Sequence, residues 1–120
     1  GVQAAGASAI HDAWHTGYLF RRDRADTFAD GLATCATYDM TFPALRAGLA
    51  GFVAVPDAAI ADAVRVLIAT THNLAEGAGA AGLAGLRTLG ATLAGKTVGI
   101  ILSGANIDQA TLTRVMTRAL

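Results

Sequence analysis

The fold is decided by one stretch of the sequence, Lys96-Thr97-Val98-Gly99-Ile100-Ile101-Leu102-Ser103-Gly104-Ala105-Asn106-Ile107-Asp108. Its apolar, branched residues from Thr97 to Leu102 are typical of a fully buried strand in the middle of a parallel sheet. A tight turn at Ser103 and Gly104 and the start of a helix are predicted to follow. Because ligands of open α/β sheets bind at the carboxyl ends of the strands, Ser103 lies where a functional group is expected. A plain strand–turn–helix connection is the alternative.

The composition limits the class of protein. The chain has 120 residues, no net formal charge, 53% hydrophobic residues and 15% charged residues. This length suffices for one domain with its own core. The charged fraction is below the usual quarter or so, which, together with fourteen glycines, predicts that some normally covered surface is uncovered here. The charge does not favour nucleic-acid binding, and no apolar run approaches the roughly twenty residues of a membrane span.

The rest of the sequence alternates short apolar runs with helical patterns. Strands are predicted at Gly1 to Gln3 and at Phe52 to Val55. Helices are predicted from Ala7 to Gly17, from Thr41 to Gly51, from Asp57 to Asn73, in a segment that ends near Gly90, and from Asn106 onward. This alternation predicts βαβ units, and therefore an α/β fold with a mostly parallel sheet.

Several local features of these elements are predicted as well. Asp57 is expected to cap its helix, and Asn73 to end it in the left-handed conformation. Residues 28 to 33 read as a short strand or ordered loop, and residues 74 to 81 as a loop of small residues. Gly82 and Gly85 predict very close packing against backbone or a ligand, since each costs a helix about 1 kcal/mol relative to alanine. The last helix is expected to bury one stripe of residues: Leu112, Val115, Met116 and Ala119.

Three other patterns suggest chemistry and are rejected. Residues 90 to 97 fit the phosphate-loop pattern G-x-x-x-x-G-K-[ST], but a helix precedes them and a strand is predicted to follow, the reverse of the order that motif needs. His11 and His15 are spaced like zinc ligands on a helix, yet no third ligand is evident, since His72 ends a distant helix. A solvent-facing pair is the simpler interpretation. Cys35 lacks a partner for nucleophilic chemistry, excludes an internal disulfide and weakly favours a reducing compartment.

Glu76 precedes the small-residue run Gly77-Ala78-Gly79-Ala80-Ala81. A carboxylate just before a helix start, among residues too small to block approach, could face a bound ligand. The alternative is an acid that only stabilises the helix N-terminus through the helix dipole.

Three stretches together resemble a known family: Phe28-Ala29-Asp30-Gly31-Leu32-Ala33, Glu76-Gly77-Ala78-Gly79-Ala80-Ala81 and Leu102-Ser103-Gly104-Ala105-Asn106-Ile107-Asp108. In this order and spacing they are similar to threonine/serine dehydratases, which are pyridoxal-phosphate lyases of the tryptophan-synthase β fold (fold type II). The resemblance spans essentially the whole chain but only the last part of such an enzyme. It implies that residues 1–120 form a single incomplete domain, the C-terminal part of a three-layer α-β-α large domain.

The resemblance also implies roles for individual residues. Ser103 would hold the pyridine nitrogen of pyridoxal phosphate, Gly31 would let the backbone approach the ring edge, and Glu76 would stand near the ring. Gly104 and Asn106 would shape the turn. Relatives with a divalent cation near the first strand use a glutamate and an aspartate, where this chain has Gln3 and Ala9, so no metal site is expected.

The same resemblance places the covalent lysine and the phosphate-binding cup upstream of this chain. Lys96, the only lysine, opens the strand whose far end carries Ser103, and six strand residues at about 3.3 Å put the two roughly 20 Å apart. The 120-residue chain alone is therefore expected to be inactive. It is expected to need the N-terminal part of the same cytoplasmic enzyme, and to be a homo-oligomer or a self-associating fragment.

The expected reaction is the conversion of a small hydroxy amino acid, L-threonine or L-serine, into a 2-oxo acid and ammonia. Two alternatives remain open. One is a racemase or threonine-synthase-like member of the same fold. The other is a free-standing, non-catalytic interaction or ligand-binding module.

Overall fold

The structure, a computed structural model, describes all 120 residues. It has two short strands, β1 (Val2–Ala4) and β2 (Val53–Val55), and five helices. Helices α1 (Ala9–Thr16) and α2 (Phe42–Gly48) follow β1, and α3 (Asp57–Thr71), α4 (Gly77–Leu89) and α5 (Gln109–Met116) follow β2. Three short 3-10 turns lie at Ala5–Ala7, Asp30–Leu32 and Gly90–Leu93. No helix has the length and apolar character needed to cross a membrane.

The two strands form a parallel pair between layers of helices. Val2 lies opposite Val53, and Ala4 lies opposite Val55. Val2 packs against Gly85 of α4, whereas the side-chain oxygen of Gln3 accepts a hydrogen bond from the backbone N–H of His11 in α1. Because neighbouring strand residues point to opposite faces, α4 and α1 cover opposite faces of the sheet. The predicted α/β class with parallel pairing and an α-β-α layering is confirmed.

The predicted buried strand from Thr97 to Leu102 is wrong for this chain. The segment has no assigned strand, and Ile101 is 83% exposed. The branched residues favour extended backbone, but a strand needs a neighbouring backbone to complete its ladder of hydrogen bonds. β1 and β2 pair with each other, and no other part of the chain offers a partner to this segment.

The core is built from small residues between α3 and α4. Ile60 and Val64 of α3 are fully buried, as is Val55 of β2, and most other core positions are alanines. The predicted close packing of two helical glycines is confirmed, but their neighbours are side chains and not backbone. A Cβ on Gly85 would collide with Val2, and one on Gly82 would lie 2.6 Å from the side chain of Ile100. Glycine at these positions lets α4 approach β1 and the 97–104 segment closely.

The predicted helices exist, but several ends differ. α1 stops at Gly17 as predicted, and Gly17 adopts the left-handed conformation (φ 83°). In α3 that conformation belongs to His72 (φ 55°) rather than Asn73. α2 begins with a proline in its first turn as expected but ends at Gly48 instead of Gly51. α4 already begins at Gly77, so the predicted loop over residues 74 to 81 is too long.

α5 also differs from its predicted start and buried stripe. It begins at Gln109, and Asp108 caps it by accepting a hydrogen bond from the Thr111 N–H. The predicted start of this helix at Asn106 is therefore too early. Val115 alone is buried, and Met116 is 49% exposed, because α5 contacts mainly α3 and presents its other faces to solvent. Helix periodicity marks a potential apolar face but does not decide whether a neighbour covers it.

The charged loop after α1 is attached to that helix through Asp12. Burial raises the pKa of the Asp12 carboxyl, but hydrogen bonds from Arg22, His11 and Ser8, together with the charge of Arg22, outweigh burial and lower the pKa to about 2. A folded-state pKa below the unfolded value of 3.8 stabilises the fold above that value. This stabilisation is lost as the pH falls from about 4 toward about 2.

We expect this loss to be about 1 kcal/mol, less than the full pKa shift implies because Asp12 is partly exposed. Urea unfolding of the protein at a series of pH values should show it, and the Asp12→Asn variant should lack that part of the acid dependence. An unchanged acid dependence in Asp12→Asn would contradict the assignment.

Candidate functional site

The three sequence motifs meet at the first turn of α4. A Cβ on Gly77 would lie 2.9 Å from the Cα of Ala29 and 2.9 Å from the ring of Phe28, both in the first motif. A Cβ on Gly79 would lie 2.6 Å from the carbonyl oxygen of Gly104, in the third motif. Glycine is required on this face of α4 because the other two motifs come within contact of its backbone.

Glu76 joins the second motif to the third. Its backbone N–H donates to the carbonyl of Gly104 at 3.1 Å, and a Cβ on Gly104 would collide with the Glu76 carboxylate. The half-buried carboxylate does not cap α4, since its side chain accepts no hydrogen bond from the helix N-terminus. Gly104 therefore makes room for this carboxylate, which stands beside the turn that follows Ser103.

Gly31 and Ser103 complete the set of predicted site residues. Gly31 lies in the Asp30–Leu32 turn, exposed, and a Cβ there would lie 2.9 Å from the Cβ of Ala78. Ser103 is exposed. All four predicted residues, Ser103, Gly31, Glu76 and Gly104, thus lie on segments that converge on the start of α4.

Asp57 contributes to this site in a way that the sequence did not indicate. Instead of capping α3, its carboxylate accepts hydrogen bonds from the Thr27 hydroxyl at 2.6 Å and from the Phe28 N–H at 3.0 Å. The Thr27 hydroxyl in turn accepts one from the Ala29 N–H. The prediction of Asp57 as the cap is wrong: it is the first residue of the helix, after Pro56. In the sequence, only the position of Thr27 directly before the first motif hints at this contact with Asp57.

Replacing Asp57 with alanine should destabilise the protein by about 1–3 kcal/mol, because a half-buried hydroxyl and a backbone N–H lose their acceptor. Urea unfolding would measure this. Asp57→Asn keeps an acceptor oxygen and should cost less. A loss for Asp57→Ala no larger than that for alanine at the exposed Asp23 would contradict the assigned role.

The residues near β1 do not fit a divalent cation. The Gln3 side chain is neutral, 3% exposed, and already accepts the His11 N–H at 2.9 Å, while Ala9 offers only a buried methyl group. No group of three or more histidine, cysteine, aspartate or glutamate side chains lies close enough together to hold a metal. Hard cations require several oxygen ligands, which these positions do not supply.

The two histidines of α1 interact within the chain. Their ring centroids lie 4.5 Å apart. His11 Nδ1 contacts the Asp12 carboxylate, and His15 Nε2 contacts the carbonyl of Phe52. His15 is exposed and His11 is half-buried, so the solvent-facing pair predicted from the sequence holds only for His15. Neither Cys35 nor His72 joins them in a metal-binding group.

Comparison with known proteins identifies the family. The family described as "Pyridoxal-phosphate dependent enzyme" matches residues 1–104, which include all three converging motifs. This chain belongs to that family. The residues present fit its cofactor, because Ser103, next to the turn that is held against α4, offers an exposed, neutral hydroxyl that can donate to or accept from a ring nitrogen.

Curated relatives include the L-threonine ammonia-lyase of Geobacter sulfurreducens, 39% identical over 121 residues, and that of Thermotoga maritima, 33% identical over 120 residues. Both alignments cover 100% of this chain and 30% of the relative. The chain therefore spans about a third of the length of the curated relatives that it matches.

Solved structures show the same fold. Threonine deaminase isoform 2 from Solanum lycopersicum has a TM-score of 0.88 at 30% identity, with 99% of this chain and 33% of that one covered. The threonine deaminase of T.th. has a TM-score of 0.84 at 33% identity, covering 90% of this chain and 39% of that one. Maize serine racemase has a TM-score of 0.80 at 29% identity, with 98% of this chain and 38% of that one covered. The tryptophan-synthase β type of fold implied by the sequence motifs is confirmed.

Proposed function

We propose that this chain is part of a pyridoxal-phosphate-dependent lyase that deaminates L-threonine or L-serine to a 2-oxo acid and ammonia. The observation that carries the proposal is the convergence of the three motifs, with Ser103, on the start of α4. The L-threonine ammonia-lyases among the relatives support it. We further propose that residues 1–120 are one incomplete domain, the part of the large domain that faces the cofactor ring.

In this proposal Ser103 holds the ring nitrogen of the cofactor by its hydroxyl. The cofactor, when bound, supplies the electron-withdrawing ring that makes loss of the α-proton and the β-hydroxyl possible. A neutral hydroxyl, unlike a carboxylate, does not keep the ring nitrogen protonated, so the ring withdraws electrons less strongly. This favours prompt loss of the β-hydroxyl over prolonged carbanion chemistry.

Glu76, Gly31 and Gly104 position the ring rather than react with the substrate. Gly104 leaves space for the Glu76 carboxylate, and the Glu76 N–H to Gly104 carbonyl bond holds the turn after Ser103 against α4. Gly31 is exposed, and its lack of a side chain lets the first motif lie against Ala78 at the same end of the helix. The site would thus bind and orient the ring, while the covalent lysine and the proton-transferring base come from the rest of the enzyme.

Lys96 does not serve as that lysine in this proposal. It is exposed and follows the Gly90–Leu93 turn at the far end of α4, whereas the three motifs meet at the start of that helix. A thirteen-residue helix spans about 20 Å, which a lysine side chain does not bridge. We therefore propose that the 120-residue chain is inactive alone, and that the intact protein is a cytoplasmic homo-oligomer.

The test is an assay of the intact protein with pyridoxal phosphate and L-threonine or L-serine. We expect ammonia and the 2-oxo acid in equal amounts, and no turnover by residues 1–120 alone. Turnover by the 120-residue chain would refute the need for a lysine from outside it. Failure of the intact protein to release ammonia from either amino acid would refute the lyase assignment.

A racemase is the second candidate, and the similarity to maize serine racemase favours it. Both reactions begin with removal of the α-proton, so the residues of this chain separate them poorly. Chiral analysis of the amino acid that remains in the same assay distinguishes them. Accumulation of D-serine without ammonia would identify a racemase.

A further inference from the structure

A groove between α3, α4 and the end of α5 collects positive charge. Its volume is about 460 Å³, and its lining includes Asp62, Arg65, Val66, Thr70, Arg87 and Arg118. Three of the nine lysine and arginine residues of a chain without net charge therefore line one groove. They come from different elements, so their proximity is a property of the fold and not of local sequence.

Arg65 is held in place by the chain itself. Its guanidinium donates to the Asp62 carboxylate, one turn away on α3, and to the carbonyl of Val115 on α5. The Val115 carbonyl also accepts the backbone N–H of Arg118 at 3.3 Å, and Arg118 adopts the left-handed conformation there (φ 59°). Arg65 thus fixes the end of α5, and with it the position of Arg118 at the groove.

Arg87 and Arg118 are not neutralised. Both are exposed, and neither forms a salt bridge within the chain. The hydrogen bond from Arg65 lowers the pKa of the Asp62 carboxyl, and the charges of Arg118 and Arg87 add to this effect. The groove therefore has one carboxylate for three guanidinium groups, and its net charge is positive. Like charges that share a groove repel each other, and a bound anion removes that repulsion.

We propose that this groove binds a small organic phosphate, with Arg87 and Arg118 as the groups that hold the phosphate oxygens. The planar guanidinium fork matches phosphate oxygens in pairs, which makes arginine the preferred residue for this ligand. Since Arg65 neutralises Asp62, an entering anion meets the two unpaired arginines. The volume lies in the usual range for small-molecule sites, and the exposed side chain of Val66 offers an apolar surface to the organic part.

The test is a calorimetric titration of the intact, cofactor-saturated protein with phenyl phosphate. Saturation with pyridoxal phosphate beforehand fills the site for the cofactor's own phosphate group. We expect saturable binding that weakens by about tenfold or more in Arg87→Gln and in Arg118→Gln, because each variant loses a charged hydrogen-bond donor. Arg87→Lys keeps the charge without the fork and should weaken binding less.

Arg21→Gln is the matched control, since Arg21 is also exposed and without a salt bridge but lies outside the groove. It should leave the affinity unchanged. Absence of saturable binding, or equal weakening in Arg21→Gln, overturns the proposal. Inorganic phosphate should bind more weakly than phenyl phosphate, and equal affinity would overturn the assignment to an organic ligand. Tighter binding of a polyglutamate peptide would show that the groove serves an acidic protein segment instead. None of these outcomes depends on the reaction that the intact protein catalyses.

Discussion

Replacing Gly79 with alanine should lower the free energy of unfolding of the intact protein by about 1–2 kcal/mol, although alanine is the better helix former. A Cβ at this position would lie 2.6 Å from the carbonyl oxygen of Gly104 and 3.1 Å from its nitrogen. These are backbone atoms, which cannot rotate away as the end of a side chain could. The gain in helix preference, about 1 kcal/mol, offsets only part of the cost of this overlap.

The same substitution should also impair the proposed reaction. Relief of the overlap requires the turn after Ser103 to move away from α4, and the Glu76 N–H to Gly104 carbonyl bond then lengthens. Urea unfolding and the ammonia assay on the same variant measure the two effects. Gly48→Ala is the control, because nothing lies within 4 Å of its Cβ position in α2. If both variants leave stability unchanged or improved, the contact between α4 and this turn does not exist in solution.

Replacing Ser103 with alanine should lower kcat/KM for ammonia formation by about tenfold to a hundredfold in the intact protein, since a ring nitrogen would lose its hydrogen-bond partner in a closed site. The affinity for pyridoxal phosphate should fall as well, and the absorbance of the bound cofactor measures this without turnover. Because Ser103 is exposed in this chain, its replacement should change stability by less than about 0.5 kcal/mol.

Two variants separate the role of the hydroxyl from other effects. Ser103→Thr keeps the hydroxyl and should retain most activity. Thr113→Ala removes an exposed hydroxyl that bonds only within α5 and should have no effect. Full activity and unchanged cofactor affinity in Ser103→Ala would refute the assignment of Ser103 to the ring nitrogen.

The features predicted correctly from the sequence are those that local chemistry decides. α1 ends in a left-handed residue, Gly17. This conformation is strained for residues with a Cβ, so a glycine at this position indicates the end of the helix. The glycines at 82 and 85 indicated close packing because glycine in a helix is unfavourable unless space demands it. The motifs around Glu76 and Gly104 together indicate one family, and the fold of that family brings them into contact at the start of α4.

The features that were missed depend on distant residues. Asp57 has the right chemistry for a helix cap, but its acceptor oxygens are used by Thr27 and Phe28, about thirty residues away. Likewise, the apolar run from Thr97 to Leu102 shows that extended backbone is favoured, but not whether another strand lies beside it. Local propensity is a weak prior wherever tertiary contacts compete for the same groups.

The unpaired segment after Lys96 has a further consequence for experiment. None of the backbone amides of residues 97 to 106 donates a hydrogen bond within the chain. These amides should therefore exchange with deuterated solvent within the dead time of a manual experiment in the isolated chain, whereas those of α3 and α4 should be protected. Any partner that completes the sheet would convert the fastest-exchanging amides into protected ones. Deuterium exchange of this segment therefore measures whether such a partner is bound.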